Sequence, residues 1–276
     1  MSNIAAIEAR AEAFVRARLA ALALPGYPGA APVTLAEAYA IQDHAIRLWP
    51  DTLSGWKVGR INAPWDSALG CDRLVGPIFS RQVAQAGPGP AEGLVFKGGF
   101  GAVEGEVIIV AGADAPDGKL DWSLEEAAEI AGSVLIGAEI ASSPFPGIND
   151  DGPLVTISDF GNHNGLILGP AMDNPGQSGT SGALFRTLID GIEAGRATPA
   201  AIPGGPLESF RALLEIVARR GLPLRKGMYV STGAVTGVHP AHAGQTATIE
   251  VDGREIIHLS LKSAAPAQAA GWPGGS

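Results

Sequence analysis

The chain has 276 residues, 46% of them hydrophobic, and a formal net charge of -9. A chain of this length can bury a sizeable core, as one large domain or as a main domain with a smaller helical part. The acidic balance argues against nucleic acid or an anionic membrane surface as a partner, because both require clustered Lys and Arg. The single cysteine excludes an intrachain disulfide framework and fits a reducing compartment. No apolar run reaches the roughly 18 residues of a bilayer span, so we expect a soluble, cytoplasmic protein.

The N-terminal third of the sequence predicts two helices followed by strands. Helical spacing of apolar residues predicts the first helix over residues 4–22. Thr34 then begins a second helix as its N-cap, with Glu37 at the capping-box position. The stretch SGWKVGR at 54–60 predicts a short strand, and GAVEGEVIIV at 101–110 predicts a longer one.

The rest of the sequence alternates between helical and extended patterns. A capped helix is predicted over 123–134, and a loop and strand over 154–169. An amphipathic helix over 207–220 precedes strands joined by turns over 228–263, with an Asp-Gly dipeptide as a hairpin signal. The tail over 266–276, rich in Ala, Gly and Pro, is expected to be disordered.

Two glutamates in the 101–110 strand raise a chemical question. Side chains in a strand alternate between faces, so Glu104 and Glu106 project from the same face. Two adjacent like charges are unfavourable unless water solvates both or a cation lies between them. An exposed face of an edge strand would provide the solvation, and a bound metal ion would provide the cation.

A third glutamate favours the metal interpretation. Glu139 stands alone in the run SVLIGAEIAS, which implies burial, and glutamate is rarely buried without a partner. Three carboxylates offer hard oxygen ligands, which suit Mg²⁺ or Mn²⁺ better than zinc. The alternative is a salt bridge from Glu139 to Arg or Lys.

Other candidate residues are weaker on sequence alone. Lys57, between Trp56 and Val58, is expected to be partly desolvated, which lowers an ammonium pKa toward acid-base values, although an exposed edge-strand lysine is equally consistent. His239 and His242 in HPAH are interpreted as part of a solvated turn, with a metal role as the alternative. The glycines before the 101–110 strand lack the GxGxxG spacing, so dinucleotide binding is rejected.

Seven short motifs, in order, resemble one known family. The chain resembles the 2-keto-4-pentenoate hydratase and 4-oxalocrotonate decarboxylase branch of the fumarylacetoacetate hydrolase superfamily over roughly residues 5–262. The motifs are TLAEAYAIQ, WKVG, LGCD, VEGE, GAEI, SDFGNHNG and STGAVTGVHPAHAGQTATIEV. The resemblance implies an α+β fold with a mixed β-sheet rolled on itself and packed helices. It divides the chain into an N-terminal helical portion (1–80) and a catalytic domain (81–265).

The resemblance also implies site residues. The family metal ligands correspond to Glu104, Glu106 and Glu139, and the family lysine of the KVG motif corresponds to Lys57. The acid that follows the LG dipeptide corresponds to Asp72. General acid-base catalysis is therefore expected from Lys57 and Asp72.

Two hydroxyl groups and two departures from the family pattern complete the expected site. Ser158 and Thr232 are candidate hydrogen-bond donors to the substrate. Val75 stands where family hydratases commonly carry a second aspartate, and Ala102 replaces an arginine that usually precedes the Glu-x-Glu strand. These departures are compatible with metal binding and bear on the identity of the substrate.

The expected activity is a divalent-metal-dependent hydratase. It would add water to a 2-hydroxy-2,4-dienoate to give a 4-hydroxy-2-oxo acid, as in aromatic meta-cleavage catabolism. Decarboxylation of a 4-oxalocrotonate-like 2-oxo acid and carbon-carbon hydrolysis of a diketo acid are the alternatives. A further alternative is a catalytically silent subunit of another enzyme. The expected partners are a small 2-oxo acid and copies of the same chain in a homo-oligomer, either alone or in complex with another enzyme of the pathway, with no nucleic acid and no membrane.

Overall fold

The computed structural model describes residues 3–172 and 182–266. Most of the predicted disordered tail therefore lies outside the described residues. The helices are α1 (Asn3–Ala20), α2 (Leu35–Leu48), α3 (Trp65–Leu69), α4 (Leu124–Ile130), α5 (Pro153–Ser158) and α6 (Gly205–Arg219). Among the described helices, none combines the length and apolar character needed to cross a bilayer.

The strands of the described residues form two sheets. They are β1 (Leu53–Arg60), β2 (Arg73–Phe79), β3 (Val83–Gln85), β4 (Ala91–Val95), β5 (Phe100–Ala111), β6 (Ala131–Ser143), β7 (His163–Ala171), β8 (Phe185–Ile189), β9 (Ile192–Ala197), β10 (Tyr229–Ala234), β11 (His239–Pro240), β12 (Thr246–Val251) and β13 (Arg254–Ser263). The larger sheet has the order β2-β1-β10-β5-β6-β7-β3, with β11 also paired to β5, and the smaller has the order β4-β13-β12-β8-β9. Both sheets mix parallel and antiparallel pairs, as in β1 with β10 and β5 with β6.

The fold-class prediction is confirmed. The structure is α+β, with a curled, half-barrel sheet and several helices. One apolar core, which includes Val107, Ile140 and Ile249, lies where the two sheets pack together. A second core lies between the larger sheet and α6, and it includes Trp56 and Phe210.

The central position of β5 decides the surroundings of its glutamates. β10 and β11 pair with one edge of β5, and β6 pairs with the other. Glu104 and Glu106 therefore do not lie on an exposed edge strand, and both side chains are buried. Because β5 and β6 are antiparallel with Glu104 opposite Glu139, the register brings the third carboxylate to the same place.

Two local predictions were wrong. The helix predicted over 123–134 ends at Ile130, because the following residues pair with β5 as the start of β6. Its start was predicted correctly: the Ser123 hydroxyl accepts a hydrogen bond from the Glu126 amide at 3.2 Å. The residues predicted as a loop before β7 form α5, which starts with Pro153 at a position where its missing N–H costs nothing.

The division of the chain at residue 80 stays a prediction. Helices α1 and α2 are present and pack against each other, as expected for the N-terminal portion. Thr34 caps α2 by accepting a hydrogen bond from the Glu37 amide at 3.1 Å. The strands β1 and β2 of the same portion are part of the larger sheet, and β1 contributes Lys57 to its interior.

Candidate active site

Three buried carboxylates meet at the centre of the larger sheet. Glu104, Glu106 and Glu139 each offer an oxygen, and these atoms all lie within 4.8 Å of one another. β5 and β6 are interior strands of the larger sheet, and all three side chains are buried on the face where Lys57 and His163 lie against Glu139. Such a set of oxygen ligands matches what Mg²⁺ and Mn²⁺ require.

The hydrogen bonds of the cluster leave specific oxygens free. One oxygen of Glu106, Oε2, accepts hydrogen bonds from the Ser231 hydroxyl and from the Gly233 amide at 3.1 Å. Glu139 Oε1 lies 3.0 Å from His163 Nδ1 and 3.3 Å from Lys57 Nζ. Glu106 Oε1 and Glu139 Oε2 are buried and have no hydrogen-bond partner. Buried carboxylate oxygens are rarely left unpaired, so these two atoms fit a bound cation.

A β-bulge supplies one of these contacts. In β10, the pairing with β5 shifts between Ser231 and Ala234, so three steps along β10 match two steps along β5. Gly233, with φ of 117°, adopts the backbone conformation that the extra residue needs. The result is that Ser231 and Gly233 both donate to Glu106, while Thr232 lines the neighbouring cleft.

The protonation of the cluster follows from burial and mutual repulsion. Burial raises the pKa of Glu104 to about 7, against a smaller opposing effect of Lys57. Burial, with the charges of Glu139 and Glu104, raises the pKa of Glu106 well above its usual range. Burial acts in the same direction on Glu139, but Lys57 and His163 outweigh it and lower the pKa of Glu139 to about 2. Without a cation, the cluster therefore retains protons at neutral pH.

Lys57 extends from β1 toward the three acids. Its Nζ donates a hydrogen bond to Asn162 Oδ1 at 3.1 Å and lies beside Glu139. Burial alone would lower the pKa of Lys57, but the carboxylates of Glu139, Glu104 and Glu106 outweigh it, and the pKa is raised. The sequence-based expectation of a lowered pKa was therefore wrong, because it considered burial without the neighbouring acids.

His163 is fully buried, in contrast to the surface position that is usual for loop histidines. Burial lowers the pKa of His163, against the opposing effect of Glu139. A neutral ring that donates from Nδ1 to Glu139 leaves Nε2 as an acceptor, and Nε2 has no partner. His163 therefore orients Glu139. Carboxylates that bind metal ions are commonly oriented in this way by a hydrogen bond from a neighbouring side chain.

A cleft of about 690 Å³ opens onto this cluster. Lys57, Glu104, Asn162 and Thr232 line its inner part. Glu106 and Glu139 are fully buried and do not line the cleft. Other residues that line the cleft include Arg60, Arg73, Trp65, Asn149, Asp150 and Ser209. The cleft is the place where a small molecule can reach the acids and Lys57 together.

The structure brings together five of the seven predicted site residues. Asp72 lies elsewhere: its side chain is 64% exposed and pairs with Arg73 at 2.6 Å. Ser158 is buried outside the cleft, where it donates to the Val155 carbonyl at 2.8 Å and accepts from the Tyr27 hydroxyl at 3.1 Å. Neither side chain lines the cleft that Lys57 lines.

The two departures from the family pattern also have defined positions. Val75 is buried in β2 and packs in the core beneath α6, whereas its neighbour Leu74 lines the cleft. Ala102 is buried in β5, opposite Ala141 of β6. An acid at position 75 would therefore lie in apolar surroundings on the side of the sheet away from the cleft.

Sequence reasoning missed three residues that contact the acids or Lys57, namely Ser231, Gly233 and Asn162. It considered His163 and interpreted it as a surface residue of a polar loop, which was wrong. Asn162 carried a weak signal, because asparagine is enriched among residues with positive φ. The histidines of HPAH lie outside this cluster. His239 contacts Thr236 Oγ1 at 3.1 Å, and His242 is exposed.

The sequence matches no protein-family model. It also has no significant match among curated proteins. Solved structures do resemble it. Magnesium- and adipate-complexed 4-oxalocrotonate decarboxylase from Pseudomonas putida G7 is 20% identical, with a TM-score of 0.76 over 93% of this chain and 97% of that chain.

Two further structures align over a smaller share of this chain. Fumarylpyruvate hydrolase from Pseudomonas aeruginosa, in complex with Mn²⁺ and pyruvate, is 20% identical, with a TM-score of 0.51 over 76% of this chain and 88% of that chain. The 2-hydroxyhepta-2,4-diene-1,7-dioate isomerase from Mycobacterium marinum is 18% identical, with a TM-score of 0.51 over 77% of each chain. These likenesses confirm the predicted resemblance at the level of fold.

Proposed function

We propose that this chain is a divalent-metal-dependent enzyme of the fumarylacetoacetate hydrolase superfamily that acts on an unsaturated 2-oxo acid. The observation that carries the proposal is the convergence of Glu104, Glu106 and Glu139, with Lys57 beside them at the inner end of a cleft. Buried acids with strongly perturbed pKa values beside a cleft are a common feature of functional sites.

The three glutamates are the residues that would hold the cation, which we expect to be Mg²⁺ or Mn²⁺. The unpartnered oxygens of Glu106 and Glu139 support this assignment, as does the chemistry of an all-oxygen ligand set. The cation would supply a fixed positive charge that binds the carboxylate and 2-oxo groups of a substrate and favours negative charge on the 2-oxo oxygen. The magnesium and Mn²⁺ complexes of the structural neighbours support the same assignment.

The rest of the cleft suits an anionic substrate. Lys57, Arg60 and Arg73 place three cationic side chains along it, and Lys57 is buried at its inner end. Cations in a cleft of low dielectric concentrate anions there. Thr232 also lines the cleft, but its hydroxyl donates to the Val107 carbonyl, so its predicted role as a donor to the substrate stays a prediction that requires this hydroxyl to turn.

The first candidate reaction is hydration of a 2-hydroxypenta-2,4-dienoate. Ketonisation removes the proton of the 2-hydroxyl group and adds one at C5, and water then adds at C4 with protonation at C3, which gives 4-hydroxy-2-oxopentanoate. Lys57 is placed to transfer the protons at carbon. A second group must take the proton from water.

The position of Asp150 supports it as that second group. It lines the cleft, and its neighbour Asn149 accepts a hydrogen bond from Asn162 at 3.0 Å. The role predicted for Asp72 stays a prediction, and from its exposed position Asp72 would reach the cleft only through its ion pair with Arg73.

The second candidate reaction is decarboxylation of a 4-oxalocrotonate-like acid. The C5–C6 bond breaks, carbon dioxide leaves, and the electron pair moves through the conjugated chain to the 2-oxo oxygen, which takes up a proton. One observation and one chemical argument favour it. The 4-oxalocrotonate decarboxylase structure aligns over nearly the whole of both chains. Decarboxylation also consumes no water, so it needs no group that activates water. Lys57 could then be the one proton-transfer group.

The experiment that tests the proposal separates these reactions. Purified protein is stripped of metal, reloaded with Mg²⁺ and given 2-hydroxypenta-2,4-dienoate or 4-oxalocrotonate, with ultraviolet absorbance and carbon dioxide release as readouts. A hydratase consumes the dienoate without gas, and a decarboxylase releases carbon dioxide from the dicarboxylate. Hydrolysis of a diketo acid is included as a third arm.

Calorimetry tests the silent-subunit alternative with oxalate as the probe. An active enzyme binds oxalate only when Mg²⁺ is present, because the cation and Lys57 together hold the oxalate oxygens. Glu104→Gln should abolish this binding, whereas Glu92→Gln, at an exposed acid of β4, should leave it unchanged. No Mg²⁺-dependent oxalate binding by the wild-type protein would refute the proposed function.

A further inference from the structure

Three consecutive residues before β7 have left-handed backbone conformations. Phe160, Gly161 and Asn162 have φ values of 55°, 61° and 58°. Residues with a Cβ atom adopt this conformation at an energetic cost, and they usually do so singly. A bulky residue such as Phe160 is an unusual occupant. A conformation of this kind persists only where the surrounding structure imposes it, and it is found most often at functional sites.

This left-handed turn, residues 160–162, presents two polar groups to the candidate site. Asn162 Oδ1 accepts the hydrogen bond from Lys57 Nζ, and the next residue, His163, contacts Glu139. The turn also packs tightly against Gly76 of β2, where a Cβ atom would lie 2.1 Å from the Phe160 carbonyl oxygen. Its shape therefore sets where Asn162 and His163 lie relative to Lys57 and Glu139.

One arginine from the N-terminal helix holds both ends of the turn. Arg18 of α1 donates from Nε to Asp159 Oδ1 at 2.5 Å and from Nη2 to Asp159 Oδ2 at 2.9 Å, just before the turn. Its Nη1 donates to the carbonyl of His163 at 3.1 Å, just after the turn. The side chains of Arg18 and Asp159 are 1% and 0% exposed.

Additional contacts fix the same arrangement. The Arg18 guanidinium carbon lies 5.1 Å from the centre of the Phe160 ring, so the arginine also covers the turn's first residue. Ser143 of β6 donates to Asp159 Oδ2 at 2.6 Å. Arg18 does not line the cleft and does not contact the three glutamates.

We propose that Arg18 is a positioning residue for catalysis, which acts by holding the left-handed turn that aims Asn162 at Lys57. A fork-shaped guanidinium is needed because Arg18 contacts the Asp159 carboxylate, the Asp159 carbonyl at 3.2 Å and the His163 carbonyl at once. The kinetic part of this inference rests on the proposed function. The claim that Arg18 holds the turn does not.

The test combines Arg18→Lys with Asn162→Gly. Lysine keeps a positive charge opposite buried Asp159, so the fold is retained, but it cannot make the paired contacts to Asp159 and His163. Glycine at position 162 removes the amide and keeps the left-handed backbone accessible. Arg10→Lys is the matched control, because Arg10 is a buried arginine of the same helix that pairs with Glu37 instead of Asp159.

Hydrogen exchange provides the readout that needs no turnover. Arg18→Lys should increase amide exchange at residues 160–163 by about tenfold or more and leave the β12–β13 hairpin unchanged, whereas Arg10→Lys should leave both unchanged. Unchanged exchange in the turn of Arg18→Lys would overturn the proposal, even if the protein had no activity on any tested substrate.

The kinetic readout is a double-mutant cycle with 2-hydroxypenta-2,4-dienoate or 4-oxalocrotonate, whichever the wild-type enzyme converts. Arg18→Lys and Asn162→Gly should each lower kcat about tenfold, with KM and Mg²⁺ affinity within about twofold of wild type, and the double variant should be no slower than the slower single variant. Losses that multiply in the double variant would show that Arg18 does not act through Asn162. If Arg18→Lys does not fold, Ser143→Ala replaces it in the same cycle, with a smaller expected loss and the same criterion.

Discussion

Replacing Glu104 by glutamine should stabilise the metal-free protein at neutral and basic pH. Burial raises the pKa of Glu104 from 4.5 to about 7. Below pH 4.5 the carboxyl group is protonated in both the folded and the unfolded protein, so it makes no pH-dependent contribution. Between pH 4.5 and 7 the unfolded chain ionises while the folded protein keeps its proton, so stability falls as pH rises. Above pH 7 the loss is complete.

The magnitude follows from the pKa difference. A difference of about 2.5, at 1.36 kcal/mol for each pKa unit, corresponds to about 3 kcal/mol of lost stability at pH 8. Glutamine has nearly the same shape and carries no titrating group. Glu104→Gln should therefore gain about 3 kcal/mol at pH 8 and less than about 1 kcal/mol at pH 5, relative to wild type.

Urea unfolding in the presence of a chelator measures this gain at both pH values. Glu92→Gln is the control for loss of an acidic side chain at an exposed position of β4, and it should show no such pH dependence. Added Mg²⁺ should then stabilise the wild-type protein and not Glu104→Gln, because only the wild type retains all three ligands. An equal gain at pH 5 and pH 8, or no gain at pH 8, would refute the assignment of Glu104 as a buried acid that is ionised at a cost.

Three further predictions concern turnover and the site's contacts. Lys57→Met should lower kcat by about 10²- to 10⁴-fold while Mg²⁺ affinity measured by calorimetry stays within about tenfold of wild type, since Lys57 transfers protons and is not a ligand; full turnover would contradict this role. Asp150→Asn should abolish hydration whereas Asp72→Asn should leave kcat within about threefold in the same absorbance assay, and the opposite ranking would return the acid-base role to Asp72. Ser231→Ala should weaken Mg²⁺ binding by about tenfold in calorimetric titration, because it removes a hydrogen bond that orients Glu106; unchanged affinity would show that the Gly233 amide suffices.

The parts of the site predicted from sequence are those that local patterns determine. Alternation along a strand placed Glu104 and Glu106 on one face, and the apolar surroundings of Glu139 indicated burial. Sequence could not supply the register of β5 against β6, which places Glu139 opposite Glu104. The family resemblance supplied this missing information, because it implied that all three acids bind one metal ion.

The parts that were not predicted depend on tertiary contacts. His163 lies in a polar stretch, and no local pattern shows that it is buried against Glu139. The arginine that holds the preceding turn, Arg18, is 141 residues away from Asp159 in the sequence. The pKa of Lys57 was misjudged for a related reason, since the three acids that raise it come from two other strands. Asp72 was selected by its place in a motif, and exposure is a property that a motif does not encode.

The β-bulge in β10 interrupts the regular pairing with β5 and also contributes a contact to the candidate site. Removing Gly233 would make β10 match β5 residue for residue, which favours the sheet, but it would reverse the direction in which the residues on one side of the deletion point. Glu106 would also lose the hydrogen bond that it accepts from the Gly233 amide. A one-residue shortening at this position should thus give a protein that keeps its sheets and binds metal poorly.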